Sequence, residues 1–346
     1  MCKVNLLDCT LRDGGYINDW NFGKKEIIDI TDKMSSSGVE VVEIGFLKNE
    51  SYNENRCVFN SMEQVKKIIT PKKNNVNYAV MCEVVNPLPL DLLEPADSKS
   101  ADIIRVIVWK TKHDENGNEV DCLKEGFEYC KGIVEKGYKL CVQPARVDQY
   151  THEEFINTVK MFSKLNPLAI YVVDSWGTQN AEELLKYMHL ADENMPKHIR
   201  LGYHGHNNMM QVLSVAQAMI KENFDREIMI DASVYGIGRG AGNLNIEIIA
   251  KYMNEHCNKT YNLLPMLQVY EKYVKQIYQI EPWGYSIPYY LTAKYNCNPA
   301  YARLFKDLEV SQVEEILENL SKEDKVIFSE KNAKRLIENF LKKKLI

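Results

Sequence analysis

The 346 residues, 45% of them apolar, supply enough material for one large core and a modest appendage. The formal net charge of −5 is spread over interleaved acidic and basic residues. No basic face therefore points to nucleic acid, and no polybasic patch points to a membrane surface. No apolar run approaches the roughly 18 residues of a transmembrane helix. Met1-Cys2-Lys3 leads straight into a strand-like pattern with no signal-peptide core, so a cytoplasmic protein is expected. The nine cysteines are scattered, without metal-finger spacing. Cys9, Cys82 and Cys141 lie inside apolar runs, where free buried thiols are expected.

Along the chain, short apolar runs alternate with amphipathic stretches. The runs are Val4–Cys9, Val39–Phe46, Val76–Cys82, Ile103–Trp109, Lys139–Pro144, Ala169–Asp174, Ile199–His204 and Glu227–Val234. Most are apolar almost throughout, as parallel strands covered on both faces must be. Between them, Lys24–Ser37 places Ile27, Ile28, Ile30, Thr31 and Met34 on one side, with Gly38 as its stop. Met62–Ile69, Gly126–Glu135, Glu153–Leu165, Ala181–Glu193 and Met209–Lys221 read as further helices. Eight such units over about 250 residues predict an α/β fold, a (β/α)8 TIM barrel, rather than an open doubly wound sheet.

Beyond residue 257 the alternation stops. Asn262–Ile280 reads as a helix, and Glu281–Tyr301 as an aromatic stretch broken by Pro282, Gly284, Pro288 and Pro299. Two more helices are predicted at Ser311–Asn319, with Ser311 and Glu314 in capping-box spacing, and at Glu330–Lys344. The expected organisation is a barrel over 1–257 and a small all-helical domain over 258–346.

Barrel chemistry gathers at the C-terminal ends of strands. There the sequence carries Arg12-Asp13-Gly14-Gly15, Glu43, Asp174-Ser175-Trp176, His204-Gly205-His206 and Gly236–Asn243. Residues two apart on a strand face the same way, so His204 and His206 can aim both imidazoles at one point. Only one strand separates them from Asp13, whose carboxylate would complete a metal site. Two nitrogens with oxygens suit Mn²⁺, Mg²⁺, Co²⁺ or Fe²⁺. Asn243 either adds an amide oxygen or serves the next turn. Arg12 suits a carboxylate or a developing oxyanion. Glu43, in an apolar strand, needs a cation, and Arg12 is the expected partner. Asp174, at the end of the sixth strand, is expected among the substrate-binding groups. Gly236, Gly238 and Gly240 lack dinucleotide spacing and are expected to let a loop pass close to metal or substrate.

Together, Leu7–Gly14, His204–Asn207 and Gly238–Asn243 resemble three motifs of the DRE-TIM metallolyases, in the family's order. That resemblance implies divalent-metal ligation by Asp13, His204, His206 and, as in some members, Asn243, with Mn²⁺ preferred over Mg²⁺ or Co²⁺. It implies that Arg12, held by Glu43, steadies an enolate oxygen. The chain is most similar to the 4-hydroxy-2-oxovalerate aldolase branch: it has a short helical tail, and Gly236–Asn243 lacks the cysteine of the CoA-lyase loop. The implied reaction splits a 4-hydroxy-2-oxo acid into pyruvate and an aldehyde. The alternatives are Claisen condensation of an acyl-CoA with a 2-oxo acid, and a metal-binding barrel without catalysis. Where that branch carries its histidine base, this chain has Tyr16. In the tail, Tyr285 or Tyr289 corresponds to a site tyrosine, unless they serve interdomain packing. By analogy with the branch, an aldehyde dehydrogenase or a second copy of the chain is an expected partner.

Overall fold

The computed structural model describes residues 3–113 and 119–343. Eight parallel strands close on themselves. They are β1 (Val4–Asp8), β2 (Val41–Leu47), β3 (Asn77–Glu83), β4 (Ile103–Val108), β5 (Lys139–Pro144), β6 (Ala169–Asp174), β7 (Arg200–Gly205) and β8 (Ile228–Ala232). Closure is through β1, which pairs with β8 on one side (Leu6 opposite Ile230) and β2 on the other (Leu7 opposite Val41). This is the predicted TIM barrel.

Helices α1 (Lys24–Ser36), α2 (Met62–Ile69), α3 (Leu123–Glu135), α4 (His152–Ser163), α5 (Ala181–Asn194), α6 (Val212–Glu222) and α7 (Ile246–His256) pack outside. Ile27, Ile30, Thr31 and Met34 of α1 are buried, and Gly38 takes the left-handed conformation just past its end. Ile28 departs from the expected face and is 40% exposed. Among the described residues, β3 alone is followed by no helix. Its link to β4 is a turn-rich segment that buries Leu88 and Leu93 in the helix–strand layer. No helix among the described residues is long and apolar enough to cross a membrane.

The period of two sorts the strands into an outer face under the helices and an inner face filling the barrel. Leu7, Val41, Ile103, Cys141 and Met229 belong to one apolar inner cluster. Two residues further on, at the same face, stand Cys9, Glu43, Arg105, Gln143 and Asp231, all buried. The barrel interior thus turns from apolar to charged toward its C-terminal mouth. Eight cysteines, Cys9, Cys82 and Cys141 among them, are free and buried, as expected.

After the barrel, Leu263–Val269, the π turn Tyr270–Val274 and Lys275–Ile280 run on as one helix, α8, capped by Asn262. Its Met266, Val269 and Val274 share the barrel's outer core. A second cluster, with Tyr301, Phe305, Leu317 and Ile337 at its centre, joins α9 (Ile287–Lys294), α10 (Val310–Asn319) and α11 (Glu330–Lys343). Pro288, expected as a breaker, sits in the first turn of α9 behind a Ser286 cap, where a missing N–H costs nothing. Helix α10 begins before the predicted Ser311: the Glu309 N–H donates to the Gln312 side chain (3.0 Å), and this pair forms the capping box.

Gly45 marks a break in the β2–β3 register. Its φ is +148°, and a Cβ there would lie 2.0 Å from the Cys57 carbonyl oxygen. We expect Gly45→Ala to lower stability by at least about 2 kcal/mol, because backbone cannot move aside as a side-chain tip can. Urea unfolding checks this; an unchanged midpoint would show that the bulge relaxes freely.

Candidate metal centre and active site

Asp13 ends the turn that follows β1, and His204 and His206 end β7. Their ligand atoms lie within 4.8 Å of one another, and all three residues are buried. His204 Nε2 stands 4.0 Å from one Asp13 oxygen and His206 Nδ1 3.8 Å from the other. The strand alternation does what the sequence predicted, with the two rings edge-on at 5.0 Å between centroids.

Around this cluster runs a buried chain of charge. Arg12 Nε donates to Glu43 Oε2 at 2.8 Å, and Arg105 Nη1 donates to the same oxygen at 2.7 Å. Arg105 Nη2 donates to Asp231 Oδ2, which His204 Nδ1 also meets at 3.0 Å. Arg12 Nη1 returns to Asp13 Oδ1. The bonded chain therefore runs Asp13, Arg12, Glu43, Arg105, Asp231, His204, and its two ends face each other at 4.0 Å. Tyr171 supports Arg105 from below, its ring centroid 4.8 Å from the guanidinium carbon.

The expected Arg12–Glu43 pair is present. Arg105 and Asp231 were missed, although each is a lone charge in an otherwise apolar strand, the same signal that singled out Glu43. Asp231 fixes His204 with Nδ1 as donor and leaves Nε2 free toward Asp13, the carboxylate–histidine arrangement that metal-binding imidazoles use.

Charge and orphaned atoms both fit a divalent cation. Within the bonded chain, three carboxylates (Asp13, Glu43, Asp231) meet two guanidinium groups, so the carboxylates outnumber the guanidinium groups by one. Burial alone would raise the Asp13 carboxyl, but Arg12 and the imidazoles hold it well below the usual carboxylate range. Burial pushes His206 down to about 3 against the pull of Asp13, so its ring is in the neutral form a metal needs. His206 Nδ1 and Asn243 Oδ1 are buried with no hydrogen-bond partner. Asn243 is not the cap of α7, a place taken by Asn245; its amide donates to the Ile237 carbonyl (3.1 Å), which leaves the oxygen free. Gly238 makes room for the Asn243 amide nitrogen beside Asp13, since a Cβ there would lie 2.3 Å from Asn243 Nδ2 and 2.6 Å from Asp13 Oδ2. Asn243 lines a neighbouring pocket with Asn207 and Trp283 rather than the cavity over the cluster.

A cavity opens over the cluster, lined by Arg12, Asp13, His204, His206, Tyr16 and Arg239, with Glu83, Trp109, Gln143 and Ser175 beside them. Arg12 Nη2 is buried without a partner at this cavity. The Tyr16 ring packs on Trp20 and Phe46 at 4.9 and 6.3 Å. Burial, reinforced by the charge of Glu83, pushes its phenol well above the usual range. Tyr16 is therefore a hydrogen-bond donor here. Glu83, which the sequence did not single out, ends β3 and accepts from Trp109 Nε1 at 2.9 Å.

Asp174 does not line this cavity. Its two oxygens accept the backbone N–H groups of Thr178 and Gln179, both at 3.1 Å, and burial pushes its carboxyl up to about 7. Tyr289 lines a wider outer vestibule continuous with the cavity at Tyr16, Glu83, Trp109 and Arg239. Tyr285 is 51% exposed and lines neither space.

A TIM barrel with this centre matches the HMGL-like family over residues 3–271, and the chain belongs to that family. The resemblance to the DRE-TIM metallolyases is borne out. Its curated relatives include the 4-hydroxy-2-oxovalerate aldolase of Marinomonas sp. (strain MWYL1), 24% identical over 255 residues, which span 73% of this chain and 71% of the relative. The enzyme of the same name from Shewanella pealeana (strain ATCC 700345 / ANG-SQ1) is 24% identical over 276 residues, 79% of this chain and 77% of that one. Among solved structures, the N-terminal domain of a Bacteroides vulgatus protein shares the fold with a TM-score of 0.72 at 21% identity, covering 89% of this chain and 98% of that one. The hydroxymethylglutaryl-CoA lyase of Pseudomonas aeruginosa gives 0.60 at 13% identity, covering 81% and 92%.

If Asp231 holds His204 for a metal, Asp231→Asn should weaken Mn²⁺ binding by roughly 10- to 100-fold while the fold persists. Calorimetric Mn²⁺ titration with circular dichroism checks this. Wild-type affinity in the folded variant would remove Asp231 from the centre.

Proposed function

We propose that the chain is a divalent-metal-dependent carbon–carbon lyase, cleaving a 4-hydroxy-2-oxo acid to pyruvate and an aldehyde or running the reverse. The observation that carries this reading is one cavity lined by Asp13, His204 and His206 and by Arg12 with a free guanidinium nitrogen. Asp13, His204, His206 and the Asn243 amide oxygen would hold the metal, with Mn²⁺ the proposed ion. When bound, it supplies Lewis-acid polarisation of the 2-oxo group.

The chain's own groups do the rest. Arg12, fixed through Nε by Glu43 and through Nη1 by Asp13, offers Nη2 to the oxygen that becomes the enolate. Its orientation is set before substrate arrives, so none is lost on reaction. Tyr16, held protonated, donates to the 4-hydroxyl oxygen. Glu83, across the same cavity, is the proposed proton acceptor for that hydroxyl. As the proton leaves, the C3–C4 bond breaks, its electron pair enters the enolate, and the aldehyde departs. Protonation at C3 then gives pyruvate.

The test supplies purified protein with Mn²⁺ and 4-hydroxy-2-oxopentanoate and follows pyruvate through lactate dehydrogenase. Release of pyruvate, lost on chelation, is the expected result. Thiol release from acetyl-CoA with a 2-oxo acid, and no pyruvate, would instead establish the Claisen reaction. Glu83→Gln should lower kcat by about 100-fold or more with Mn²⁺ affinity intact; an unchanged kcat would take the base role from Glu83.

A further inference from the structure

Beyond the metal pocket the cavity widens into a vestibule between the barrel mouth and the C-terminal helices. Its lining includes Lys48, Arg239 and Arg303, with Glu83 the one carboxylate there among the described residues. Lys48 follows β2, and its ammonium sits over Phe46 and Trp20, 4.5 and 4.9 Å from the ring centroids. Arg239 lies in the loop after β8. Its guanidinium stands over Tyr16 at 5.7 Å, and it lines both the metal pocket and the vestibule. Among the described residues no carboxylate pairs with either Lys48 or Arg239. Lys110, by contrast, is tied to Glu154 at 2.8 Å. Arg303 comes from the C-terminal helices; it donates to the Tyr16 carbonyl (3.1 Å) and lies 3.9 Å from Glu281.

Two partly buried cations left without counter-ions on one concave surface, with a third beside them, form a focused positive field. A neutral short aldehyde has no use for such a field.

We propose that the vestibule binds an anionic group, a carboxylate or a phosphate, at the far end of the substrate, so that the substrate carries a second anionic group, which leaves with the aldehyde. This rests on the lyase reading for the placement of the near end. With C1 and C2 at the metal cluster, C4 falls at the joint formed by Tyr16 and Glu83. Carbons beyond C4 then enter the space lined by Lys48 and Arg239. Glu83 is held at that joint by Trp109. Arg239 reaches both spaces, which couples tail binding to the reacting end.

The experiment compares three substrates with Mn²⁺ present: 4-hydroxy-2-oxopentanoate with a neutral tail, 4-hydroxy-2-oxohexanedioate with a carboxylate tail, and the 5-phosphate of 4,5-dihydroxy-2-oxopentanoate. The expected result is a kcat/KM at least roughly tenfold higher for one charged tail than for the neutral one. That preference should collapse in Lys48→Met, return in Lys48→Arg, and fall with added salt. Which charged tail wins separates the carboxylate from the phosphate.

A readout independent of turnover uses inorganic phosphate with the Mn²⁺-loaded protein. Phosphate should raise the melting temperature of the wild type by more than that of Lys48→Met. Should no substrate be cleaved while this difference persists, the anion site stands and the lyase reading falls. Equal kcat/KM for all three substrates, with an identical phosphate response in the variant, overturns the proposal.

Discussion

Glu43 Oε2 accepts hydrogen bonds from two arginines at once, and the rest of the site hangs from that atom. Carboxylates and guanidinium groups cost several kcal/mol each to take out of water, and they recover it only with good geometry and full pairing. Here the recovery comes from alternation. Each positive group around the ring lies between negative ones, and the last two members, His204 and Asp13, face the point where a cation belongs. Removing one member leaves its neighbours buried and unpaired, a loss of about 3–5 kcal/mol. The charges that prepare the chemistry are thus also a condition of the fold at the barrel mouth.

The ring's members come from five strands or strand ends. Arg12 and Glu43 are 31 residues apart, Glu43 and Arg105 62, and Arg105 and Asp231 126. No local segment contains enough of the ring to satisfy itself. The charged layer therefore forms when the barrel closes, through the pairing of β1 with β8 and β2. Below it, the apolar layer of Leu7, Val41, Ile103, Cys141 and Met229 supplies the non-directional part of closure. The division is physical: an apolar inner layer tolerates small shifts of position, and a ring of hydrogen-bonded charges does not. The outcome is a rigid set of charged side chains on strand ends, as the placement of a metal and an arginine would require.

Much of this was legible in the sequence because each feature carried its own local mark. Near-continuous apolar runs at regular spacing declared the strands, and His-x-His on one of them declared the centre. Glu43 was legible as a charge in an apolar strand. Arg105 and Asp231 bear the same mark, yet a pairing of residues 126 apart has no local trace, and Arg12 already offered Glu43 a partner. Asp174 shows the converse. Its place at a strand end matched the rule for functional groups, but its oxygens meet two backbone N–H groups of the following loop, a bond pattern that sequence position does not distinguish. No helix is read from the sequence between the third and fourth strands, and among the described residues the structure has none there, whereas α7 goes unnamed. Pro288 was read as a breaker because proline ends helices more often than it begins them, and only the Ser286 cap decides which.

The two halves of the cavity answer to different parts of the chain. Strand ends build the inner half, where Asp13, Arg12 and His204 belong to the buried chain of charge and His206 stands beside it. The outer half is shared between barrel loops and the helices after residue 257, with Tyr289, Asn298 and Arg303 on its wall. Any change in the tail therefore reshapes the vestibule without breaking a member of the buried ring. Tyr16 stands at the joint, its ring packed on Trp20 and its carbonyl gripped by Arg303. A histidine there would be a base in its own right. A buried phenol held protonated does not serve as one, and Glu83, at the end of β3, is the carboxylate at the same joint, the group proposed above as proton acceptor. On that proposal the acid–base chemistry would sit on β3 rather than on the β1 loop, beside the same candidate metal ligands and the same arginine.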